Sequence, residues 1–139
     1  MRSAECTSHL ALCLALLLGT GCRARPELSA RDIANYAPRI TFSNFRVGVS
    51  ENMAGHTIYY VDAVVKNGGD RTIRELSVDA SFRDLDGLVV FRERAAVISP
   101  RRKALGPGES REFRMGFEGL PASWNRSAPN LEIAHLVVE

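Results

Sequence analysis

The sequence predicts an all-β fold, an antiparallel immunoglobulin-like β-sandwich of about six to seven strands, and three observations carry that expectation. Several segments after Arg39 alternate apolar and polar residues with the period of two of a strand that has one buried and one wet face. Clusters of Gly, Pro, Asn and Asp separate these segments at short intervals. No stretch after Arg39 repeats apolar residues at helical spacing, and residues 39–139 supply the roughly 100 residues that such a sandwich needs.

In the first strand Ile40 and Phe42 stand in one phase and Phe45, Val47 and Val49 in the other. One extra residue near Ser43 or Asn44 restores a single inward face, so a bulge is expected there. Tyr59, Val61, Ala63 and Val65 then alternate with Ile58, Tyr60, Asp62 and Val64, and Leu76, Val78, Ala80 and Phe82 with Ser77, Asp79, Ser81 and Arg83. Leu88 to Ile98 is rich in Val and Phe but carries Arg92, Glu93 and Arg94 at its centre. Phe113, Met115 and Phe117 alternate with Glu112 and Arg114, and Leu131 to Val138 is apolar on both faces apart from Glu132 and His135.

Asn67-Gly68-Gly69-Asp70 and Asp86-Gly87 offer residues that tolerate positive φ, so each is expected to close a hairpin between adjacent antiparallel strands. Gly106-Pro107-Gly108 ends the loop that begins at Ser99-Pro100, and Pro121 and Pro129 bracket the last connection. Trp124, inside that connection, has no flanking cysteines, so the hallmark of antibody domains is missing.

The start of the chain reads as an address. Arg2 precedes the apolar run Leu10 to Leu18, too short for a transmembrane helix and matched to the core of a secretory signal. Leu18-Gly19-Thr20-Gly21-Cys22 resembles a bacterial lipobox, with Leu one step further from the cysteine than usual. The expected division is residues 1–21 as lipoprotein signal peptide, 22–38 as lipidated Cys22 and flexible tether, and 39–139 as the sandwich. Residues 23–38 are polar, bounded by Pro26 and Pro38, and read as a tether, in which Ser29 could cap a short helical turn running to Tyr36. Either way the folded unit is expected to start near Arg39. A flexible segment of that length reaches roughly 20–25 Å. Cys6, Cys13 and Cys22 are the three cysteines, so cleavage before Cys22 leaves a domain that must fold without disulfides. More than one acyl chain on Cys22 holds the domain at a bilayer, which makes the membrane a partner through this residue and places the protein on the periplasmic face of the cell envelope. Arg23 stands where some bacteria use Asp to retain lipoproteins at the inner membrane, which tilts the expectation to the outer membrane.

A formal net charge of +2 over 139 residues is far from the concentrated charge of a nucleic-acid binder. Catalysis requires a nucleophile with a base, two poised acids or a metal site, and beyond the signal segment the histidines are only His56 and His135. No strand pattern joins them, so no enzyme, metal or cofactor is expected. The sharper alternative is a copper site drawn from Met53, Met115, His56 and His135, since thioethers and imidazoles suit copper. Asp84-Leu85-Asp86-Gly87 lacks the later ligands of a calcium loop and reads as a turn. Asn125-Arg126-Ser127 matches a glycosylation sequon, which carries little meaning in a bacterial envelope. Two features are candidates for binding. Arg92, Arg94, Arg101, Arg102 and Lys103 form a local basic cluster suited to lipid or lipopolysaccharide phosphate, and Trp124 is either a plug of the sandwich end or an exposed anchor for a partner.

Val65-Lys66-Asn67-Gly68-Gly69-Asp70, then Phe82-Arg83-Asp84-Leu85-Asp86-Gly87, then Leu105-Gly106-Pro107-Gly108-Glu109 before Phe113 resemble the FxLYD type of bacterial envelope domain. In that family an N-x-G turn, an F-x-D-x-x-G hairpin and an L-x-P-G-E turn recur in this order within an immunoglobulin-like sandwich. The resemblance spans nearly all of residues 40–138, although the family's naming string is not present literally. It implies an extracytoplasmic accessory role with an envelope protein as partner, and it supplies no catalytic residues. The functional expectation is a lipid-anchored, non-catalytic interaction module, with a ligand-binding lipoprotein for copper or an anionic envelope molecule as the alternative.

Overall fold

The computed structural model describes residues 30–139, with side chains from Ile33 onward. Helix α1 (Ala30–Tyr36) runs through a 3-10 turn (Ala37–Arg39) into six strands: β1 (Ile40–Glu51), β2 (Thr57–Asn67), β3 (Ile73–Arg83), β4 (Val89–Ile98), β5 (Ser110–Glu118) and β6 (Asn130–Val138). They form two three-stranded antiparallel sheets, β1-β2-β5 and β4-β3-β6, packed face to face as a sandwich. Each sheet turns one set of alternating residues inward, as the period of two requires. Val61, Ala63 and Val65 of β2, Leu76, Val78, Ala80 and Phe82 of β3, and Phe113, Met115 and Phe117 of β5 are all buried. An edge-to-face contact of Phe82 with Phe117 (centroids 4.8 Å apart) joins the two sheets near the ends of β3 and β5, and Phe82 meets Phe91 of its own sheet at 5.9 Å.

The bulge expected in β1 is present. Ser43 pairs with Val64 and Arg46 with Asp62, so Asn44 and Phe45 together oppose Ala63. Asn44 takes φ = 56°, a left-handed conformation that asparagine tolerates better than most residues. In β4 and β6 the mixed faces have the same origin: registers shift between Leu76 and Ser77 against β4, and between Ser77 and Val78 against β6. An extra residue in each strand, Val97 in β4 and Ala134 in β6, therefore changes phase part-way, and Val97 and Ile98 are buried consecutively.

One turn departs from expectation. Asp84 to Leu88 closes a hairpin between β3 and β4, with Gly87 at φ = 81°. Asn67-Gly68-Gly69-Asp70 does not close a hairpin, because β2 and β3 lie in different sheets and the segment crosses between them. Neither Gly68 nor Gly69 has positive φ. These glycines serve close approach instead: a Cβ on Gly69 would lie 2.2 Å from the Tyr36 hydroxyl, and one on Gly68 2.9 Å from the Arg39 carbonyl oxygen.

Asn67 is fully buried and organises this crossing. Its amide nitrogen reaches the carbonyls of Arg71 (2.8 Å), Leu105 (3.1 Å) and Gly106 (3.2 Å), while its Oδ1 accepts from Gly69 N–H and from the Tyr36 hydroxyl. One side chain thereby ties together three loop carbonyls, each of which also accepts a second bond: Arg71 from the Tyr36 hydroxyl, Leu105 from the Ile73 N–H and Gly106 from the Glu109 N–H. Tyr36 is buried and Ile33 packs against the core, so the packed unit starts inside the segment read as tether.

Candidate functional site

Sandwich edges are where this fold can meet another molecule, because an edge strand leaves backbone N–H and C=O groups unpaired. The side formed by β4 and β5 is closed by contact between these strands. Arg92, Glu93 and Arg94 at the centre of β4 add charge to that edge, a common protection against unwanted pairing. On the opposite side β1 and β6 terminate their sheets.

This second side is only half closed. Near the start of β1, helix α1 packs against β6, and Ile40, Leu136 and Val138 are buried. Past the bulge nothing among the described residues covers it. Val47 pairs directly with buried Val61, and Val49 with Tyr59, so Val47 and Val49 point to the inner face, yet they are 36% and 58% exposed. Phe45, in phase with them, is 37% exposed. Across the gap Ile133 and Leu131 pair with buried Val78 and Ala80 and are themselves half-buried. The result is an apolar slot between β1 and β6, flanked by two strand edges without partners among the described residues. Sequence reasoning placed Phe45, Val47 and Val49 on the inner face correctly, but the alternation carries no information on whether a facing strand exists to cover them.

Trp124 is 5% exposed and acts as the plug of the far end of the sandwich. Its ring meets Tyr59 (centroids 5.1 Å) and Phe82 (5.3 Å) edge to face, and its Nε1 donates to the Ser127 carbonyl at 3.2 Å. In that position it offers no anchor to a partner. Asn125 completes the closure by bonding to the carbonyls of Arg83 and Asp84.

The basic cluster of the sequence is divided in space. Arg92 and Arg94 lie on the outer face of β4-β3-β6, where Arg92 donates to Ser81 Oγ and Arg94 grips Asp79 with two bonds (2.8 and 3.1 Å). The Arg94 guanidinium holds the Asp79 carboxyl below its ordinary value, and Arg94 itself is raised. Arg101, Arg102 and Lys103 belong to the β4–β5 loop at the end where β1 begins, with Lys103 3.7 Å from Glu109.

An assembly that the sequence did not advertise lies on the outer face of β1-β2-β5. Arg46, Asp62 and Arg114 are in register across the three strands. Arg114 bonds Asp62 twice (2.6 and 2.8 Å) and stacks over Tyr60 at 4.2 Å, and the Tyr60 ring lies across Gly48. Hydrogen bonding from Arg114 lowers the Asp62 carboxyl, aided by its charge and that of Arg46. Arg46, Asp62 and Arg114, with Arg102 and Glu112, line an open groove of about 570 Å³.

The chemistry-bearing residues stay apart. Met115 is in the core and Met53 is fully exposed at the β1–β2 turn with His56 nearby in sequence, whereas His135, on β6, faces Glu75 at 3.5 Å. Among the described residues no group of three or more His, Cys, Asp or Glu could hold a metal ion. Asp84 Oδ1 accepts from the N–H groups of Asp86 and Leu88, which commits it to the turn. Cys22 and the signal segment lie outside the described residues. Comparison with protein-family models, with curated proteins and with solved structures gives no match.

Proposed function

We propose that this protein is a lipid-anchored envelope module without catalytic function, which receives an extended β-strand of an envelope protein in the slot between β1 and β6. The observation that carries this reading is the exposure of Phe45, Val47 and Val49 on an inner face beside strand edges that have no partner among the described residues. The strand order supports it. In an immunoglobulin-like sandwich, β1, β2 and β5 correspond to strands A, B and E, and β3 and β6 to C and F, with β4 beside C and no described strand in the place of G. The place of G adjoins β6, on the side where the slot opens. An added strand with apolar residues at every second position would pair its backbone with the free edge and cover the exposed side chains. The turn motifs that resemble the FxLYD domains, and the lipobox-like segment ending at Cys22, support the envelope location.

Photo-crosslinking in intact cells tests this reading. A crosslinker at Phe45, Val47 or Val49 is expected to capture one protein partner, and one at Glu93 of the charged β4 edge is expected to capture none. Val49→Lys is expected to abolish capture from position 47 while the domain keeps its Tm. Absence of an adduct at all three β1 positions, or equal capture at Glu93, overturns the strand-acceptor reading. Cys22→Ser is expected to move the protein to the soluble fraction, and retention in the membrane overturns the anchor.

A further inference from the structure

We infer that the end of the sandwich from which the chain enters β1 is a docking face for an anionic lipid surface. The inference deepens the anchored-module reading by assigning the domain an orientation on the bilayer. The face is continuous. Gly68 N–H donates to the Arg39 carbonyl, Asn67 and Gly108–Glu109 bond to one another, and Thr72 pairs with Glu139, so the 3-10 turn, the β2–β3 crossing, the β4–β5 loop and the end of β6 form one surface.

Charge is unevenly placed between the two ends. At the entry end Arg39 pairs with Asp70, Arg74 with Glu139 and Lys103 with Glu109, which neutralises the local acids. Arg71, Arg101 and Arg102 are exposed there and have no acidic partner within 4.0 Å among the described residues. The surplus at this end is cationic. At the far end Asp84, Asp86 and Glu118 stand against Arg83 and Arg126, so acids outnumber cations among these residues. Between Asn35, Tyr36, Arg39, Asp70 and Arg71 a notch of about 270 Å³ opens on this end; Asp70 is paired with Arg39, which leaves Arg71 as the cation of the notch without an acidic partner among the described residues.

The chain itself supplies the second argument. Helix α1 leads into β1 at this same end, and Cys22 stands eight positions before Ala30 in the sequence, so a lipid on Cys22 would bring the bilayer to the cationic face and not to the acidic one. A cation close to a negatively charged bilayer raises affinity about fivefold. Three unpaired arginines together are thus worth about 100-fold, enough to orient a domain that is already held by its tether. The slot past the bulge of β1 is then turned away from the bilayer, towards the end that carries Trp124.

The test uses the exported chain with Cys22→Ser, so that charge and not acylation is read. Flotation with vesicles of phosphatidylglycerol and phosphatidylcholine is expected to carry the protein, whereas phosphatidylcholine alone is not, and 0.5 M salt is expected to release it. Arg71→Ala/Arg101→Ala/Arg102→Ala is expected to weaken binding to the anionic vesicles about 100-fold with unchanged circular dichroism and Tm, and the single variants about fivefold each. Arg92→Ala and Arg126→Ala are expected to leave binding unaltered. Binding that ignores lipid charge, or falls equally in the Arg92 and Arg126 variants, overturns the inference. Failure of the anchor shows separately, as retention of Cys22→Ser in cell membranes that have been washed with 0.5 M salt, which removes the charge contribution.

Discussion

The Tyr36 hydroxyl meets the side-chain oxygen of Asn67 at 3.2 Å inside the entry end of the sandwich. The same hydroxyl accepts from the Arg71 N–H and lies 3.1 Å from the Arg71 carbonyl, so a residue of the segment before β1 is bonded into the crossing between the sheets. The two partners of this contact carry unequal loads. Tyr36→Phe removes one partner of Asn67 Oδ1, which keeps the Gly69 N–H, and is expected to cost about 1 kcal/mol. Asn67→Ala strips the amide from the Leu105 and Gly106 carbonyls and is expected to cost about 3 kcal/mol or more. Urea unfolding followed by circular dichroism measures both, and equal losses would show that Asn67 does not organise the crossing.

Trp124→Ala removes the plug between Tyr59 and Phe82, and a deletion of that size is expected to cost about 3–5 kcal/mol. Trp124→Phe keeps most of the volume but not the bond to the Ser127 carbonyl, and is expected to cost markedly less. A shift in Tm that is the same for both variants would contradict a packing role.

The bulge makes a conformational prediction at Asn44. With φ = 56°, Asn44→Gly relieves the left-handed cost and is expected to be neutral or slightly stabilising, while Asn44→Val is expected to cost about 1–2 kcal/mol. Chemical denaturation of the two variants decides it. A tolerated valine would mean that the register slips, and amide exchange of β1 would then report the altered pairing with β2.

Acid is expected to weaken the fold through identified carboxylates. Asp62 and Asp79 are lowered first by hydrogen bonds from Arg114 and Arg94, and Glu109 by the Gly106 N–H. A carboxyl whose folded pKa lies below its unfolded value stabilises above that unfolded value, about 4, and loses the contribution as pH falls through the folded pKa. Urea midpoints are therefore expected to be insensitive to these groups from pH 7 to pH 5 and to decline below about pH 4. Asp62→Asn and Asp79→Asn are expected to flatten that decline, and a slope unchanged by both would refute the assignment.

Strand positions were legible because one buried face imposes a period of two, and Leu76 to Phe82 or Phe113 to Phe117 record it without interruption. The bulge in β1 was legible for the same reason, as a break in phase between Phe42 and Phe45. Which strands share a sheet was not. Asn67-Gly68-Gly69-Asp70 has the composition of a hairpin, but the composition of a turn does not distinguish a return within a sheet from a crossing between sheets. What decided it is the environment of Asn67 and the ring of Tyr36, both of which depend on contacts more than 30 residues apart. The basic cluster misled in the same way: neighbours in sequence at a strand end part company when the strand turns into a loop. Arg92 and Arg94 went to a sheet face, whereas Arg101 and Arg102 went to the entry end.

Trp124 is the only tryptophan in the chain, and it sits in the closure of one end of the sandwich. The protein therefore contains its own optical probe. Ultraviolet emission excited at the indole band reads the wetness of that end alone, while far-ultraviolet dichroism reads the strands as a whole. A loop that opened without unfolding would redden the first signal and leave the second untouched, so local breathing and global melting can be separated in one unlabelled sample.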